Sequence, residues 1–489
     1  MKSVSVIKKL MLINGDLVES VNSEFFPVEN PAERGSVIAE VPRASVEDVN
    51  IAVEAANEAF KTWREVPSYE RGKLLWKIAD AVEEQAEEIA RTISCETGNA
   101  IRTQARGEVK SVIDIFRYFA GVASEIRGDT CPIDNNLMAY TQREPYGVIG
   151  AIVPWNAPVQ LSSLKIAPAI VSGNTIVLKT AESAPLGVLM LAKICAEYLP
   201  PGVVNVLTGF GEECGEPLAG HPLVKKLTFT GSTAIGKTIM HKAADRIIPV
   251  SLELGGKSPQ IVFPDANSNK VIDGIISAMR FARQGQSCSA GTRLYLHTSI
   301  FDSFVEQLAN KLGELKVGNP LDEESDMGSI INKKQFDKVC GFIEEGINDE
   351  NVELLIGGLP PKEGPLAQGY YLQPTLFSCK DNNTRLAKEE IFGPLLLIIP
   401  WEDEDEVIRA ANNSSYGLAA FIWTNDTKTA LRTANRIESG WIQVNRGGAQ
   451  MPGLSYGGYK QSGIGREFSL EGMLNSYTQV KSIMIDLNE

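Results

Sequence analysis

The sequence predicts an α/β protein with two doubly wound α/β domains and a separate β-rich arm. From about residue 148 to about residue 254, apolar runs typical of strands alternate with runs of helical periodicity. A second alternating region follows between about residues 258 and 445. Such alternation predicts parallel strands joined by crossover helices, and ligands of these sheets bind outside the carboxyl ends of the strands.

The elements of both regions are assigned from short segments. In the first region, strands are predicted at VIGAIV, NTIVLK, GVVNVLTG, KLTFT and IPVSLEL, and helices at QLSSLKIAPAIV, PLGVLMLAKICAEYL, residues 213–219 and the segment after Gly231. In the second, strands are predicted at PQIVF, RLYLH, LLLIIP, LAAFIWT and GWIQVN, and helices at residues 269–282, 299–315, 333–348, 403–412 and 427–438. Helices are also predicted at residues 44–62 and 68–97, the second starting at Ser68 and stopping at Gly98.

Two segments, residues 123–145 and 475–486, have strand patterns with no helix between strands. We expect them to pair as a projecting flap. Because unpaired strand edges tend to find a partner, we expect the flap to contact a partner subunit.

Composition and charge favour a small-molecule substrate. The chain has a net charge of -14 and a pI near 5.0, with no basic run, which argues against nucleic acid or an anionic membrane as a partner. No apolar run is long enough to span a bilayer, and the N-terminal apolar stretch is too short for a signal peptide. The seven cysteines are odd in number and scattered, which fits reduced thiols and a cytoplasmic location.

Residues 231–238, GSTAIGKT, match the P-loop pattern of ATPases and GTPases. A P-loop enzyme also needs an acidic magnesium ligand on another strand, and the nearest candidate, Asp265, follows a proline and opens a loop. The turn also comes after several strands instead of opening the sheet. These features favour a phosphate-binding turn of another nucleotide-binding fold, with a P-loop NTPase as an alternative.

Only Cys288 lies among small polar residues, in GQSCSAGTR, and the other six cysteines are interpreted as small buried hydrophobes. Its neighbours leave room for a substrate, and the flanking amides could bind an oxyanion. A Cys-His hydrolase would need a histidine, but His221, His241 and His297 lie in contexts that do not look catalytic. A carboxylate is therefore favoured as the base.

Seven segments together resemble the signature blocks of the NAD(P)-dependent aldehyde dehydrogenase superfamily, in order and in approximate spacing. They are VPWN (153–156), LKTAE (178–182), FTGST (229–233), SLELGGKSP (251–259), GQSCSAGTR (285–293), EEIFGP (389–394) and GGYKQSGIGRE (457–467). The resemblance covers essentially the whole chain. It implies a Rossmann-like NAD-binding domain at residues 1–122 and 146–255, a catalytic domain at 256–456, and an oligomerisation arm at 123–145 and 470–489.

The resemblance also implies the chemistry. Cys288 would attack the aldehyde carbonyl, and the side-chain amide of Asn156 with the backbone N–H of Cys288 would hold the oxyanion. Hydride transfer to NAD would leave a thioester, which water activated by Glu253 would hydrolyse to the carboxylic acid. A CoA-acylating dehydrogenase is the alternative within the superfamily, and the presence of Glu253 argues against it.

Further residues are carried over by the same resemblance. Glu182 would accept hydrogen bonds from a free ribose hydroxyl, which favours NAD over NADP, although NADP stays possible. No metal is expected, because WEDEDEV (401–407) is better interpreted as the acidic first turn of a helix. The cofactor-binding residues implied are Trp155, Lys179, Glu182, Gly231, Ser232, Gly236, Leu254, Glu390 and Phe392.

Six positions match the substrate tunnel of the family: Ala157, Leu161, Leu164, Ser287, Ser289 and Tyr456, with Tyr456 at the pocket mouth. Several are smaller than the aromatic residues common there, which predicts a roomy tunnel. We therefore expect a medium or large hydrophobic aldehyde, such as an aromatic one, instead of a cationic substrate such as betaine aldehyde.

Overall fold

The computed structural model describes residues 7–488. The start of the N-terminal stretch, for which no signal peptide is predicted, lies outside the described residues. Within residues 7–488, no helix is both long and apolar enough to cross a membrane. The same residues contain no group of three or more His, Cys, Asp or Glu side chains placed to hold a metal ion.

The N-terminal part combines short strands, which the sequence patterns do not predict, with four helices. The predicted helix at residues 68–97 is two helices that meet at Gln85, and it ends as predicted at Gly98, whose φ is 77°. The elements are β1 (Ile7–Lys8), β2 (Met11–Ile13), β3 (Asp16–Val18), β4 (Phe25–Glu29), β5 (Val37–Pro42), α1 (Val46–Trp63), α2 (Ser68–Glu84), α3 (Ala86–Thr97), α4 (Arg106–Gly121) and β6 (Leu137–Pro145).

The first alternating region has the predicted strands and crossover helices. Its central strands are buried on both faces, which is why they consist of continuous apolar runs. The elements are β7 (Val148–Ile152), α5 (Pro158–Val171), β8 (Thr175–Lys179), α6 (Leu186–Tyr198), β9 (Val204–Leu207), α7 (Glu216–Gly220), β10 (Val224–Thr230), α8 (Thr233–Arg246) and β11 (Val250–Glu253).

The second region contains every predicted strand and three more, β14, β15 and the two-residue β17, that the patterns missed. Its first helix ends earlier than predicted, because Arg280 adopts φ 61° and turns the chain toward Cys288. The elements are β12 (Pro259–Val262), α9 (Asn269–Ala278), β13 (Arg293–His297), α10 (Phe301–Gly313), α11 (Lys333–Asn348), β14 (Val352–Ile356), β15 (Thr375–Cys379), α12 (Arg385–Lys388), β16 (Leu395–Trp401), α13 (Glu404–Asn412), β17 (Tyr416–Gly417), β18 (Ala419–Trp423), α14 (Thr427–Arg436), β19 (Trp441–Val444), β20 (Tyr459–Lys460), β21 (Gly463–Ile464), α15 (Leu470–Tyr477) and β22 (Thr478–Asp486).

Two large sheets carry the fold. The first has the order β21-β11-β10-β7-β8-β9-β2-β3, and its five parallel strands, β7 to β11, run outward in both directions from β7 as in a doubly wound sheet. The second has the order β14-β15-β16-β13-β12-β18-β19 and is parallel except for β14. The predicted fold class, two doubly wound α/β units, is therefore confirmed.

The predicted flap is a two-stranded antiparallel ladder. Strand β22 pairs with β6 from Thr478 opposite Pro145 to Asp486 opposite Leu137. The ladder exposes Met484 and Val480. Cys131, which precedes β6, is exposed, so the expectation that it is buried is wrong, whereas three of the other cysteines, Cys195, Cys214 and Cys379, are buried.

The acidic segment WEDEDEV forms the start of α13, as predicted. Asp403 caps the helix by accepting a hydrogen bond from the backbone N–H of Glu406 at 2.9 Å. Glu404, in the first turn, pairs with Arg432 at 2.7 Å. The carboxylates of this segment thus complement the positive end of a helix and bind a neighbouring arginine.

Gly98 ends α3 and packs against Ser329, so it provides a test of whether this contact stabilises the fold. A Cβ at this position would lie 2.4 Å from the carbonyl oxygen of Ser329, and the positive φ adds strain. We expect Gly98→Ala to lower the free energy of unfolding by about 2 kcal/mol or more. Gly107→Ala is the control, because no atom lies within 4 Å of its Cβ position in α4. Urea denaturation followed by tryptophan fluorescence would measure both, and equal stability of the two variants would contradict the prediction.

Candidate active site

The two sheets are joined by a short link, residues 254–258, between β11 and β12. A Cβ at Gly256 would lie 2.3 Å from the carbonyl oxygen of Cys288, and one at Gly255 would lie 2.6 Å from Oε2 of Glu390. The backbone N–H of Gly256 donates to Oε1 of Glu390 at 3.0 Å. The glycines therefore let the link pack directly against Glu390 and against residues 284–292, the loop that carries Cys288, which we call the cysteine loop.

Cys288 is half-buried and lines a cavity of about 490 Å³ together with Asn156 and Glu253. The Sγ atom lies 3.6 Å from the hydroxyl of Tyr456. Burial raises the pKa of the Cys288 thiol to about 11, while the Tyr456 hydrogen bond and the charge of Arg283 oppose that increase. The three predicted catalytic residues thus share one cavity, with the thiol protonated near neutral pH.

Asn156 is fixed in the turn between β7 and α5. Its Nδ2 donates to the carbonyl oxygen of Gln286 at 3.0 Å, and its backbone carbonyl accepts a hydrogen bond from Nδ2 of Asn99 at 3.3 Å. A side-chain amide has two N–H donors, so the second N–H can bind a ligand in the cavity that Asn156 and Cys288 line. The amide is held rigidly against the cysteine loop.

Glu253 is a buried carboxylate at the end of β11. It is 5% exposed, and neither of its carboxylate oxygens has a hydrogen-bond partner among residues 7–488. Burial raises the pKa of Glu253 well above its usual value, and the nearby Glu467 raises it further, whereas Lys165 and Arg466 lower it. Lys165 is itself ion-paired with Glu467. Glu253 is therefore suited to accept a proton within the cavity.

The same cavity, which we call the cofactor cavity, is lined by most of the predicted cofactor-binding residues. Trp155 and Phe392 meet edge to face with ring centroids 5.3 Å apart, and Ser232 caps α8 through a hydrogen bond from the N–H of Ile235. Such a helix N-terminus presents free N–H groups to an anion. The predicted residues that line the cavity are Trp155, Glu182, Gly231, Ser232, Leu254, Glu390 and Phe392.

Two predicted cofactor residues, Lys179 and Gly236, do not line this cavity. Lys179 is buried at the end of β8, where its Nζ donates to the carbonyl oxygen of Thr180 at 2.8 Å and lies 3.7 Å from Oε2 of Glu182. Gly236 is buried under Leu254, since a Cβ there would lie 2.5 Å from Cδ2 of Leu254. Gly236 therefore has a packing role, and its contact with a phosphate stays a prediction.

The remaining parts of the P-loop pattern do not form a nucleotide site. Lys237 and Thr238 are exposed on α8. Asp265 does not approach them, because its Oδ2 accepts hydrogen bonds from the Thr424 hydroxyl at 2.9 Å and from the N–H of Asn425 at 2.8 Å. The P-loop match is therefore a chance feature of a helix-capping turn.

The predicted substrate residues are divided between several environments. Leu161 lines the cavity of Cys288, and Ser287 lines a second cavity of about 440 Å³. Tyr456 is buried beside the thiol, so its placement at the pocket mouth is wrong. The other three, Ala157, Leu164 and Ser289, are buried and line neither of the two large cavities.

Apart from Ser287, the residues that line the second cavity were not identified as site residues from the sequence. It includes Arg280, Arg283 and Gln450, with Gln160 and Ser287. The only available signal was two arginines inside an otherwise apolar helical run, SAMRFARQ, just before the cysteine loop. Helical periodicity hid them, because the helix ends two residues before Arg280. This lining does not favour the hydrophobic substrate expected from the sequence.

A thiol, an unpartnered carboxylate and a fixed amide lie together at the meeting of two doubly wound sheets, which defines an α/β enzyme with a candidate covalent site. Residues 17–483 match the model of the aldehyde dehydrogenase family. The chain therefore belongs to the aldehyde dehydrogenase family, and it is an enzyme that oxidises aldehydes.

Individual relatives align with nearly the whole chain. An aldehyde dehydrogenase of Vibrio cholerae serotype O1 is 40% identical over 480 residues, 97% of this chain and 94% of the relative. The NAD+ complex of an aldehyde dehydrogenase from Bacillus cereus superimposes with a TM-score of 0.95 at 39% identity, covering 98% of this chain and 97% of the other. PnpE in complex with nicotinamide adenine dinucleotide gives a TM-score of 0.95 at 38% identity, with 98% of both chains covered.

The contact between Tyr456 and Cys288 leads to a test of thiol reactivity. Because the hydroxyl lowers the pKa of Cys288, Tyr456→Phe should raise it further and reduce the thiolate fraction at a given pH. We expect alkylation of Cys288 by iodoacetamide at pH 8 to slow about three- to tenfold, the worth of one hydrogen bond. Peptide mass spectrometry would measure it, with the exposed Tyr69→Phe as control. Unchanged alkylation would refute the role of the hydroxyl.

Proposed function

We propose that this protein oxidises its aldehyde to a carboxylic acid with NAD, through a covalent intermediate on Cys288. The observation that carries the proposal is the shared cavity of the Cys288 thiol, the Asn156 amide and the unpartnered carboxylate of Glu253. A buried carboxylate without a partner is costly for stability, so its retention favours a role in the chemistry.

The first step is attack of the Cys288 sulfur on the aldehyde carbonyl. The thiol first releases its proton to solvent; the thiolate then forms the S–C bond as the carbonyl π bond breaks, and the negative charge moves to the oxygen. The free N–H of the Asn156 side chain and the backbone N–H of Cys288 would stabilise that oxyanion. Tyr456 and Arg283 assist by favouring the thiolate.

The cofactor cavity fits a dinucleotide. Gly231 and Ser232 begin α8, and Trp155 and Phe392 form an aromatic wall on the same cavity. Bound NAD would supply the hydride acceptor that converts the thiohemiacetal on Cys288 into a thioester. Glu182, half-exposed on this cavity, would accept hydrogen bonds from ribose hydroxyls and repel a phosphate there, which supports NAD over NADP.

Glu253 would then act as the general base of hydrolysis. Its raised pKa makes the carboxylate a stronger base than an exposed glutamate, so it takes a proton from water, and the water oxygen attacks the thioester carbon as the C–S bond breaks. Transfer of the acyl group to CoA is the competing outcome. The buried carboxylate beside the thiol favours water.

Assembly and domain roles are proposed on similar grounds. The ladder of β6 and β22 exposes apolar side chains, which supports assignment of residues 123–145 and 470–489 as the arm of a homodimer or homotetramer. Residues 1–122 and 146–255 would form the cofactor domain, and residues 256–456 the catalytic domain. The scattered free cysteines fit a cytoplasmic location.

The nucleophile is tested by Cys288→Ser. With NAD and an aldehyde, the wild type should produce NADH and free acid, and added CoA should not yield acyl-CoA. The variant should lose about a thousandfold or more in turnover, as expected when a covalent nucleophile is removed. Cys131→Ser, which changes an exposed cysteine, should keep full activity. A Cys288→Ser variant that keeps most of its activity would exclude this mechanism.

The base is tested by Glu253→Gln. This variant should release one NADH per active site in a rapid burst and then turn over slowly, because the thioester forms but is not hydrolysed. In the wild type, steady-state turnover should rise with pH through the raised pKa of Glu253, since only the ionised carboxylate accepts the proton. The variant should lose that pH dependence. Glu306→Gln, on the exposed face of α10, is the control. Loss of the burst along with turnover would argue against a role in hydrolysis.

A further inference from the structure

The second cavity lies directly behind the cysteine loop. Ser287 lines this cavity and the next residue, Cys288, lines the cofactor cavity, so the two spaces flank the nucleophile. At about 440 Å³, the second cavity has the size of a small-molecule site. A substrate whose aldehyde carbon reaches Cys288 from this side would place the remainder of its structure among the side chains of the cavity.

Two guanidinium groups line this cavity. Arg280 and Arg283 flank a single tight turn, and Arg280 and Gln284 on either side of it have φ 61° and 52°. Left-handed conformations are unfavourable for side chains of this size, and strain of this kind concentrates at functional sites. The turn directs both arginines at a cavity wall that a regular continuation of α9 would not provide.

Neither arginine has a carboxylate partner at ion-pair distance among residues 7–488. Arg280 donates to the carbonyl oxygens of Gly448 at 2.6 Å and Gly447 at 3.5 Å. Arg283 donates from Nε at 3.0 Å to the side-chain oxygen of Gln104, when that amide is oriented to face the guanidinium. These partners are neutral, so they satisfy hydrogen bonds without neutralising either charge.

The acidic groups around the cavity do not balance the two charges. The charge of Glu108 raises the pKa of Arg283. Oε1 of Glu108 accepts hydrogen bonds from the N–H groups of Val159 and Gln160, while Oε2 has no hydrogen-bond partner among residues 7–488. Burial raises the pKa of Glu108 to about 7, so near neutral pH it offsets only part of one arginine charge. Asp326 is engaged by Arg102, and Asp273 is exposed. Burial lowers the pKa of Arg280 to about 10, and the neighbouring Arg283 contributes to that decrease.

We propose that Arg280 and Arg283 bind an anionic group of the substrate, so that the preferred substrate is an aldehyde with a carboxylate at its far end, a semialdehyde of a dicarboxylic acid. Planar guanidinium groups are well matched to carboxylates. Gln450 and Gln160 add polar groups to the same cavity. This assignment rests on the proposed aldehyde oxidation and replaces the hydrophobic substrate expected from the sequence with an anionic one.

The test compares substrates that are matched in shape and differ in charge. Adipate semialdehyde is compared with its methyl ester, and para-carboxybenzaldehyde with its methyl ester, each with NAD. We expect the acid of at least one pair to be preferred in kcat/KM by about tenfold or more, the worth of a charged hydrogen-bonded contact. Equal kcat/KM within both pairs overturns the anionic assignment but leaves aldehyde oxidation intact. Absence of NADH with all four substrates instead overturns the proposed function.

Arg283→Gln separates recognition from the chemical step. This variant keeps hydrogen bonding to Gln104 and removes the charge. KM for the preferred acid should rise about tenfold, and its kcat/KM should fall about tenfold more than kcat/KM for the ester, because the loss of the Arg283 charge near Cys288 affects both substrates equally. Arg409→Gln, an exposed arginine on α13, is the control for charge removal and should behave as the wild type. An equal loss for acid and ester would overturn the recognition role.

A binding measurement without turnover completes the test. Adipate should protect Cys288 of the wild type from iodoacetamide more strongly than hexanoate does, and Arg283→Gln should abolish that difference. Thermal melting would check that the variant is folded, and Arg283→Lys should restore part of the protection because it restores the charge. Equal protection by adipate and hexanoate in the wild type would overturn the anion site.

Discussion

The active site depends on the short link between β11 and β12, where one sheet ends and the other begins. Glu253 is the last residue of β11, and Gly256 follows so closely that its Cα packs against the carbonyl oxygen of Cys288. Any side chain at Gly256 would have to displace the cysteine loop. The distance between Glu253 and Cys288 is therefore set by backbone packing, which is more rigid than contacts between long side chains.

Burial of this site changes the acid-base properties of both Cys288 and Glu253. It raises the pKa of Cys288 and of Glu253, so that neither group is ionised at its usual pH. The paired Lys165 and Glu467 lie beside Glu253 and keep further charge within the same region. The hydrogen bond from Tyr456 favours the thiolate form of Cys288, and the raised pKa makes the Glu253 carboxylate a stronger base than an exposed glutamate.

The sequence was sufficient for the fold class because the buried parallel strands are continuous apolar runs and their helices are strongly periodic. It was insufficient for β14 and β15, whose strands adjoin long irregular segments, and for the N-terminal strands, which are only a few residues long. Cys288, Glu253 and Asn156 could be identified from their segments. Tyr456 was misplaced at the pocket mouth, because a short motif does not reveal which face of an element meets the cavity.

Arg280 and Arg283 show why side-chain chemistry in the cavity could not be predicted. Their spacing is typical of a helix surface, and only a backbone turn that periodicity cannot detect brings both to one wall. Removing a guanidinium from water is costly unless its charge is compensated. Arg280 has a structural use, since it holds the loop at Gly447 and Gly448. Arg283 has the neutral Gln104 as its hydrogen-bond partner and the buried Glu108 as its nearby carboxylate, whose pKa burial raises to about 7, so a bound anion would complete a charge compensation that Glu108 provides only in part.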